Sequence, residues 1–167
     1  MRIISLVMIM LLLTACGYKP SAKFSRQVVG QKISTSVVIS AVDPENTVII
    51  KDAVDAAIIE VFHASLTSKS LSQTHLALSL GNPSYSPIQY DADGFVVGYR
   101  TTIVLRILRT TNSVSKNYTA KGTYDFSIAP NAIITDKERF DAIKNSSTKA
   151  IKSFVAQISA EGAKEPK

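Results

Sequence analysis

Apolar and polar positions alternate along several stretches of the chain and recur at helical spacing along two others. From Ile33 to Val42, Ile33, Thr35, Val37 and Ile39 fall on one side and Ser34, Ser36 and Ser40 mostly on the other, which predicts a strand ended by Asp43-Pro44. Between Thr47 and Leu66, Ile50, Val54, Ala57, Ile58, Val61 and Leu66 share one face, with Asp52, Asp55 and His63 off it, so an amphipathic helix is expected. Leu76, Leu78 and Leu80 then alternate with Ala77 and Ser79 in a second strand. Gly81-Asn82-Pro83 and Pro87 interrupt that strand, which places it at a sheet edge or makes it irregular.

Asp91-Ala92-Asp93-Gly94 has hairpin-turn chemistry, because Asp and Gly tolerate positive φ. Two long strands follow. In the first, Tyr99, Ile103, Leu105 and Ile107 point one way and Arg100, Thr102 and Arg106 the other, with Val104 and Leu108 breaking the alternation; in the second, Tyr118, Ala120, Tyr124 and Phe126 oppose Asn117, Thr119, Lys121, Thr123 and Asp125. Thr135-Asp136-Lys137-Glu138 has the form of a capping box and opens a helix whose apolar stripe runs through Phe140, Ile143, Ala150, Ile151, Phe154 and Ile158. The order βαβββα predicts an α+β, two-layer fold: a four-stranded, mostly antiparallel sheet with two helices on one face and a polar opposite face. One domain over 33–160 is expected, preceded by a tether over 16–32 and followed by a polar tail over 161–167.

Composition narrows the function. The chain of 167 residues is 46% apolar and 19% charged, which is ordinary for a folded domain, and its net charge of +6 offers attraction to anions without choosing among them. The single cysteine, Cys16, excludes an intramolecular disulfide and any zinc site built from several thiolates, and His63 and His75 are the only histidines. No nucleophile elbow surrounds any serine, Asp55 and His63 are too far apart on one helix for the acid to orient the base, and the seven glycines form no phosphate-binding cluster. The residues therefore predict neither an enzyme nor a bound cofactor or metal.

Residues 1–15 carry one positive charge at Arg2, then an apolar run from Ile3 to Leu13 that is too short to span a bilayer and ends in small residues. This is the pattern of a secretory signal. Leu13-Thr14-Ala15-Cys16 resembles the bacterial lipobox, which predicts acylation of Cys16 and cleavage before it; an uncleaved apolar anchor is the alternative. Several acyl chains on one residue anchor stably. Gly17 stands where resembling lipoproteins carry Asp to avoid sorting, so an outer-membrane location in a Gram-negative envelope is expected, and export separates the chain from nucleic acid.

Arg100 and Arg106 share the wet side of one strand and Lys121 that of the next, so pairing of the two would gather cations on one sheet face suited to phosphate groups. Cys16-Gly17-Tyr18, the element order, Gly98-Tyr99-Arg100, Asn117-Tyr118-Thr119-Ala120-Lys121 and Tyr124-Asp125-Phe126 together resemble the LPS-assembly lipoprotein family, LptE. The resemblance implies a plug within the large outer-membrane barrel LptD, which it helps to assemble, and a part in lipopolysaccharide delivery to the outer leaflet. It also implies lipopolysaccharide binding by a basic residue before the last helix, near Lys137; a second such site has no counterpart, since Asp91, Ala92 and Asp93 stand there. Two other classes compete: an auxiliary lipoprotein of a lipid-transporting ABC system in the periplasm, and an anchored hydrolase dependent on His63 and His75.

Overall fold

The computed structural model describes residue 30, residues 32–39, the helical positions 52, 56, 59 and 60, and residues 66–164. Five strands form one sheet: β1 (Ile33–Ile39), β2 (Thr74–Leu80), β3 (Ser84–Tyr90), β4 (Val96–Thr111) and β5 (Val114–Ser127). A single long helix, α1 (Asp136–Lys164), follows them. β1 pairs parallel with β2, and Ile33 also bridges Leu66 in parallel; the other strand pairings among the described residues are antiparallel.

β4 organises the sheet. At 16 residues it is about 50 Å long, and β5 runs along one side of it from Thr111↔Val114 to Gly98↔Ser127. Its other side is divided, with the C-terminal half paired to β2 and the N-terminal half to β3. Here the sequence reading is corrected: the sheet has five strands, not four, because the chain resumes pairing after Gly81-Asn82-Pro83. Pro87 is accommodated since β3 lies at an edge, where a missing N–H costs no ladder bond, and the register shifts just after it.

Two turns set the pairing. Asn112 and Ser113 both have positive φ, 48° and 67°, the backbone of a two-residue hairpin turn whose twist suits the strands on either side. At the β3–β4 turn the Asp91 carboxylate accepts from the N–H groups of Asp93 and Phe95 at 3.0 and 2.8 Å, and Gly94 takes φ +84°.

The core lies between one sheet face and α1. Leu76, Leu78, Leu80, Ile103, Leu105 and Ile107 point from the sheet towards Ile143, Ile151, Phe154 and Ile158 of the helix, and all ten are essentially inaccessible. Tyr118 meets Phe154 edge to face at 5.2 Å. Farther along β4, Phe126 stacks on Tyr99 at 6.0 Å and meets the edge of Tyr85 at 6.5 Å.

The capping box forms as the sequence predicts: Thr135 N–H donates to Glu138 Oε2 at 2.8 Å and Glu138 N–H to Thr135 Oγ1 at 3.3 Å. The helix runs on to Lys164, through much of the expected tail. Of the expected helix between Thr47 and Leu66, positions 52, 56, 59 and 60 are helical and the rest lie outside the described residues. Glu60 approaches Lys152 of α1 at 3.9 Å, on the helical side of the sheet.

Candidate functional site

The sheet face opposite α1 carries no helix among the described residues. The registers place on it Ser36 and Val38 of β1, Ala77 and Ser79 of β2, the even-numbered residues of β4 and the odd-numbered residues of β5. The face is not uniformly polar, which revises the sequence reading. Val38 is 60% exposed, Val104 42% and Leu108 38%, so an apolar strip crosses the middle of a surface otherwise made of Ser, Thr, Asn and charged side chains. Val38, Ala77, Ser79, Arg106, Leu108 and Asn117 line a shallow depression of about 300 Å³ there.

Three candidate cations share this face, as pairing of β4 with β5 requires, but they are not equivalent. Arg100 lies directly opposite Asp125 and donates to both of its carboxylate oxygens from Nε and Nη2, each at 2.7 Å. Those hydrogen bonds hold the Asp125 carboxyl below the usual carboxylate range, so the charge of Arg100 is already matched. Arg106 lies opposite Thr119 and Lys121 opposite Val104, which makes them diagonal neighbours about 7 Å apart at Cβ. Neither has an ion-pair partner among the described residues. Arg106 lines the depression and Lys121 stands beside the exposed Val104, an arrangement that can hold an anionic head group beside an aliphatic chain.

Lys137 lies elsewhere. It occupies the first turn of α1, its side chain 86% exposed, and donates to Asp141 at 2.6 Å, a hydrogen bond that holds its ammonium above its ordinary range. The structure thus separates Lys137 from the sheet-face cations. Cys16 and His63 lie outside the described residues.

His75 is held on the sheet, its Nδ1 2.8 Å from Ser34 Oγ and its Nε2 3.1 Å from Ser36 Oγ, while Ser34 Oγ also meets Ser72 Oγ at 2.8 Å. Burial, with a smaller contribution from the Lys69 charge, pushes its pKa below 6.5. No group of three or more His, Cys, Asp or Glu side chains suited to a metal ion occurs among the described residues. None of the described helices is long and apolar enough to cross a membrane.

A second ionic cluster sits on the helical side. Glu161 accepts from Arg109 at 3.2 Å, Lys116 at 2.8 Å and Tyr118 at 2.7 Å. Burial alone would raise the Glu161 pKa, but the hydrogen bonds from Lys116 and Tyr118 and the charges of Arg109 and Lys116 outweigh it and hold the carboxyl low. Arg109 is buried, stacks 5.6 Å from the Tyr118 ring centre, and leaves Nε and Nη1 without partners.

No family model and no curated protein matches the chain. Among solved structures it is similar to a Caulobacter crescentus protein described provisionally as a lipoprotein, with 10% identity over 88% of this chain and 98% of that one and a TM-score of 0.50. It is also similar to the rare lipoprotein B of Shewanella oneidensis, with 10% identity, 78% and 90% coverage and a TM-score of 0.37. An uncharacterised lipoprotein B of Nitrosomonas europaea matches with 11% identity, 80% and 85% coverage and a TM-score of 0.43. At these identities the likeness is one of fold, carried among these three by the Caulobacter protein.

Proposed function

We propose that this chain is a lipid-anchored protein of the Gram-negative outer membrane, of the LptE kind, that seats its open sheet face inside an LptD-like β-barrel, assists assembly of that barrel, and takes part in lipopolysaccharide delivery. The role is one of binding, not catalysis. The observation that supports it most directly is the uncovered sheet face, a broad surface of hydroxyl and amide groups with an apolar centre. The lumen of a large outer-membrane barrel is polar and closed to lipid, and a flat, largely hydroxylated surface can hydrogen-bond to it. Leu13-Thr14-Ala15-Cys16 supplies the anchor, and the fold shared with a protein described as a lipoprotein agrees with it. Arg106 and Lys121 supply unmatched positive charge for lipid phosphate.

The test is a mild-detergent pull-down of the acylated protein from its native membranes, alongside a Cys16→Ala variant expected to fold and lose its anchor. A stoichiometric large β-barrel is the expected result. Recovery of an inner-membrane transporter would replace this reading with that of an auxiliary ABC lipoprotein, and a Cys16→Ala protein that still fractionates with membranes lacking the barrel would remove the anchor.

A further inference from the structure

The outer edge of β5 is the long open edge of the sheet among the described residues. There β5 pairs with β4 alone, over its full length. Along any strand the N–H and C=O of successive residues point alternately to the two sides. Ile128, just beyond β5, donates its N–H to Val97 O at 3.0 Å, so the even-numbered residues face β4; Thr119 O is met from the other side by Gln157 Nε2 of α1 at 3.0 Å, so the odd-numbered residues face outwards. Every second residue from Ser115 to Ser127 therefore offers a donor and an acceptor beyond the sheet, and Gln157 occupies one of these acceptors. Unpaired edges of this length template the addition of another strand.

Charge around the edge is one-sided. Lys121 stands on the open face without an ion-pair partner, and Lys149 of α1 lies on the opposite side, its Nζ 5.6 Å from the Tyr124 ring centre. The two nearby acids are engaged, Asp125 by Arg100 and Glu161 by Arg109, Lys116 and Tyr118. A strand added here would direct alternate side chains to the two faces, one set towards Lys121 and the other towards Lys149.

We infer that the outer edge of β5 binds an extended acidic segment of a partner polypeptide by strand addition, with Gln157 turning aside from Thr119 O to admit it. A closed barrel wall has no free edge to offer, so the segment is a loop or a chain terminus. The inference is independent of the barrel reading above, because it requires only an open edge with a lysine on either side of it.

The test uses the full-length acylated chain, ¹⁵N-labelled in detergent, with a capped peptide of alternating Glu and Thr as probe and its Lys–Thr counterpart as control, read by amide hydrogen exchange. The acidic peptide should slow exchange about tenfold at residues 117, 119, 121 and 123, leave even-numbered residues unchanged, and lose its effect at high salt. Thr119→Pro, which deletes an outward donor and no bond to β4, should abolish the protection. The double variant Lys121→Glu and Lys149→Glu, which leaves the backbone untouched, should switch preference to the basic peptide. Unchanged odd-numbered amides, or equal protection by both peptides, would overturn the proposal; protection that grows with protein concentration without peptide would replace the acidic partner by a second copy of the chain.

Discussion

Gly122 of β5 lies directly beneath the Ser146 carbonyl of α1, so close that a Cβ on the glycine would overlap that oxygen and come within 2.5 Å of the Ala150 nitrogen. Both obstructions are backbone, which cannot rotate away. Ser146, Ser147 and Ala150 are buried small residues on the same stretch of helix, and their size lets α1 settle onto the sheet there. Gly122→Ala is therefore expected to lift the helix from β5 and destabilise the fold by about 3 kcal/mol, the upper range for overpacking. Thermal or urea unfolding reads this directly, and a variant as stable as the parent would show that the helix can shift at little cost.

Glu161 ties the end of α1 to β4 and β5, and its removal should be felt well beyond one ion pair. Arg109 is buried with two guanidinium nitrogens already lacking partners, so Glu161→Ala would leave an uncompensated buried charge. A loss of about 2 kcal/mol is expected, tempered by the partial solvation of Lys116. Because the folded-state pKa of Glu161 lies below its ordinary 4.5, the unfolded chain binds the proton more readily. Its contribution to stability is thus complete above about pH 4.5 and is lost as pH falls through the lower folded value. Urea midpoints across that acidic range should fall less steeply for Glu161→Gln than for the parent.

How far these relationships could be read in advance depended on their range. The alternation in β4 and β5, the Asp91–Gly94 turn and the Thr135–Glu138 cap are local, and each forms as its residues dictate. The pairing of Arg100 with Asp125 was also within reach, since Asn112-Ser113 fixes a two-residue turn and eleven residues counted back on each strand set those two face to face. β3 escaped because Pro87 argues against a strand, and only its place beside the N-terminal half of β4 makes it tolerable. The Glu161 cluster joins residues 52 positions apart by a helix whose C-terminal turns have tail-like composition, so no local pattern announces it. The apolar strip on the open face was visible as an irregularity, Val104 and Leu108 out of phase, whose meaning came only when Val38 and Ala77 were placed beside Leu108.

His75 adds a second pH response of the same sign, at milder acidity. Burial disfavours its charged form, so the folded chain takes up this proton at a lower pH than the unfolded chain, whose value is near 6.5. Stability from the neutral imidazole is full above that value and declines as pH falls below it. The serine contacts favour a fixed ring between β1 and β2, and protonation removes the acceptor nitrogen that one hydroxyl uses. His75→Gln should therefore flatten the change in melting temperature between about pH 7.5 and pH 5.5. A parent protein whose melting temperature is constant over that interval would contradict the assignment.

The three sheet-face cations should separate in lipopolysaccharide binding. Arg106 lines the depression and Lys121 is its diagonal neighbour on the same face, neither with an ion-pair partner among the described residues, whereas Arg100 is committed to Asp125 through both of its hydrogen bonds. Releasing Arg100 to a lipid phosphate would leave Asp125 without its partner, so little net attraction is gained there. Reversing charge at Arg106 and Lys121 together is expected to weaken binding by tenfold or more, about 1.4 kcal/mol, at low salt and by less as salt is added. Arg100→Gln should change affinity little, and Lys137→Ala, at a distinct location on α1, reports whether the loop site implied by the family resemblance contributes separately. Equal losses at Arg100 and Arg106 would show that the Asp125 pair opens on binding, and an unaltered affinity after the double reversal would remove the sheet face as the lipid site and leave Lys137.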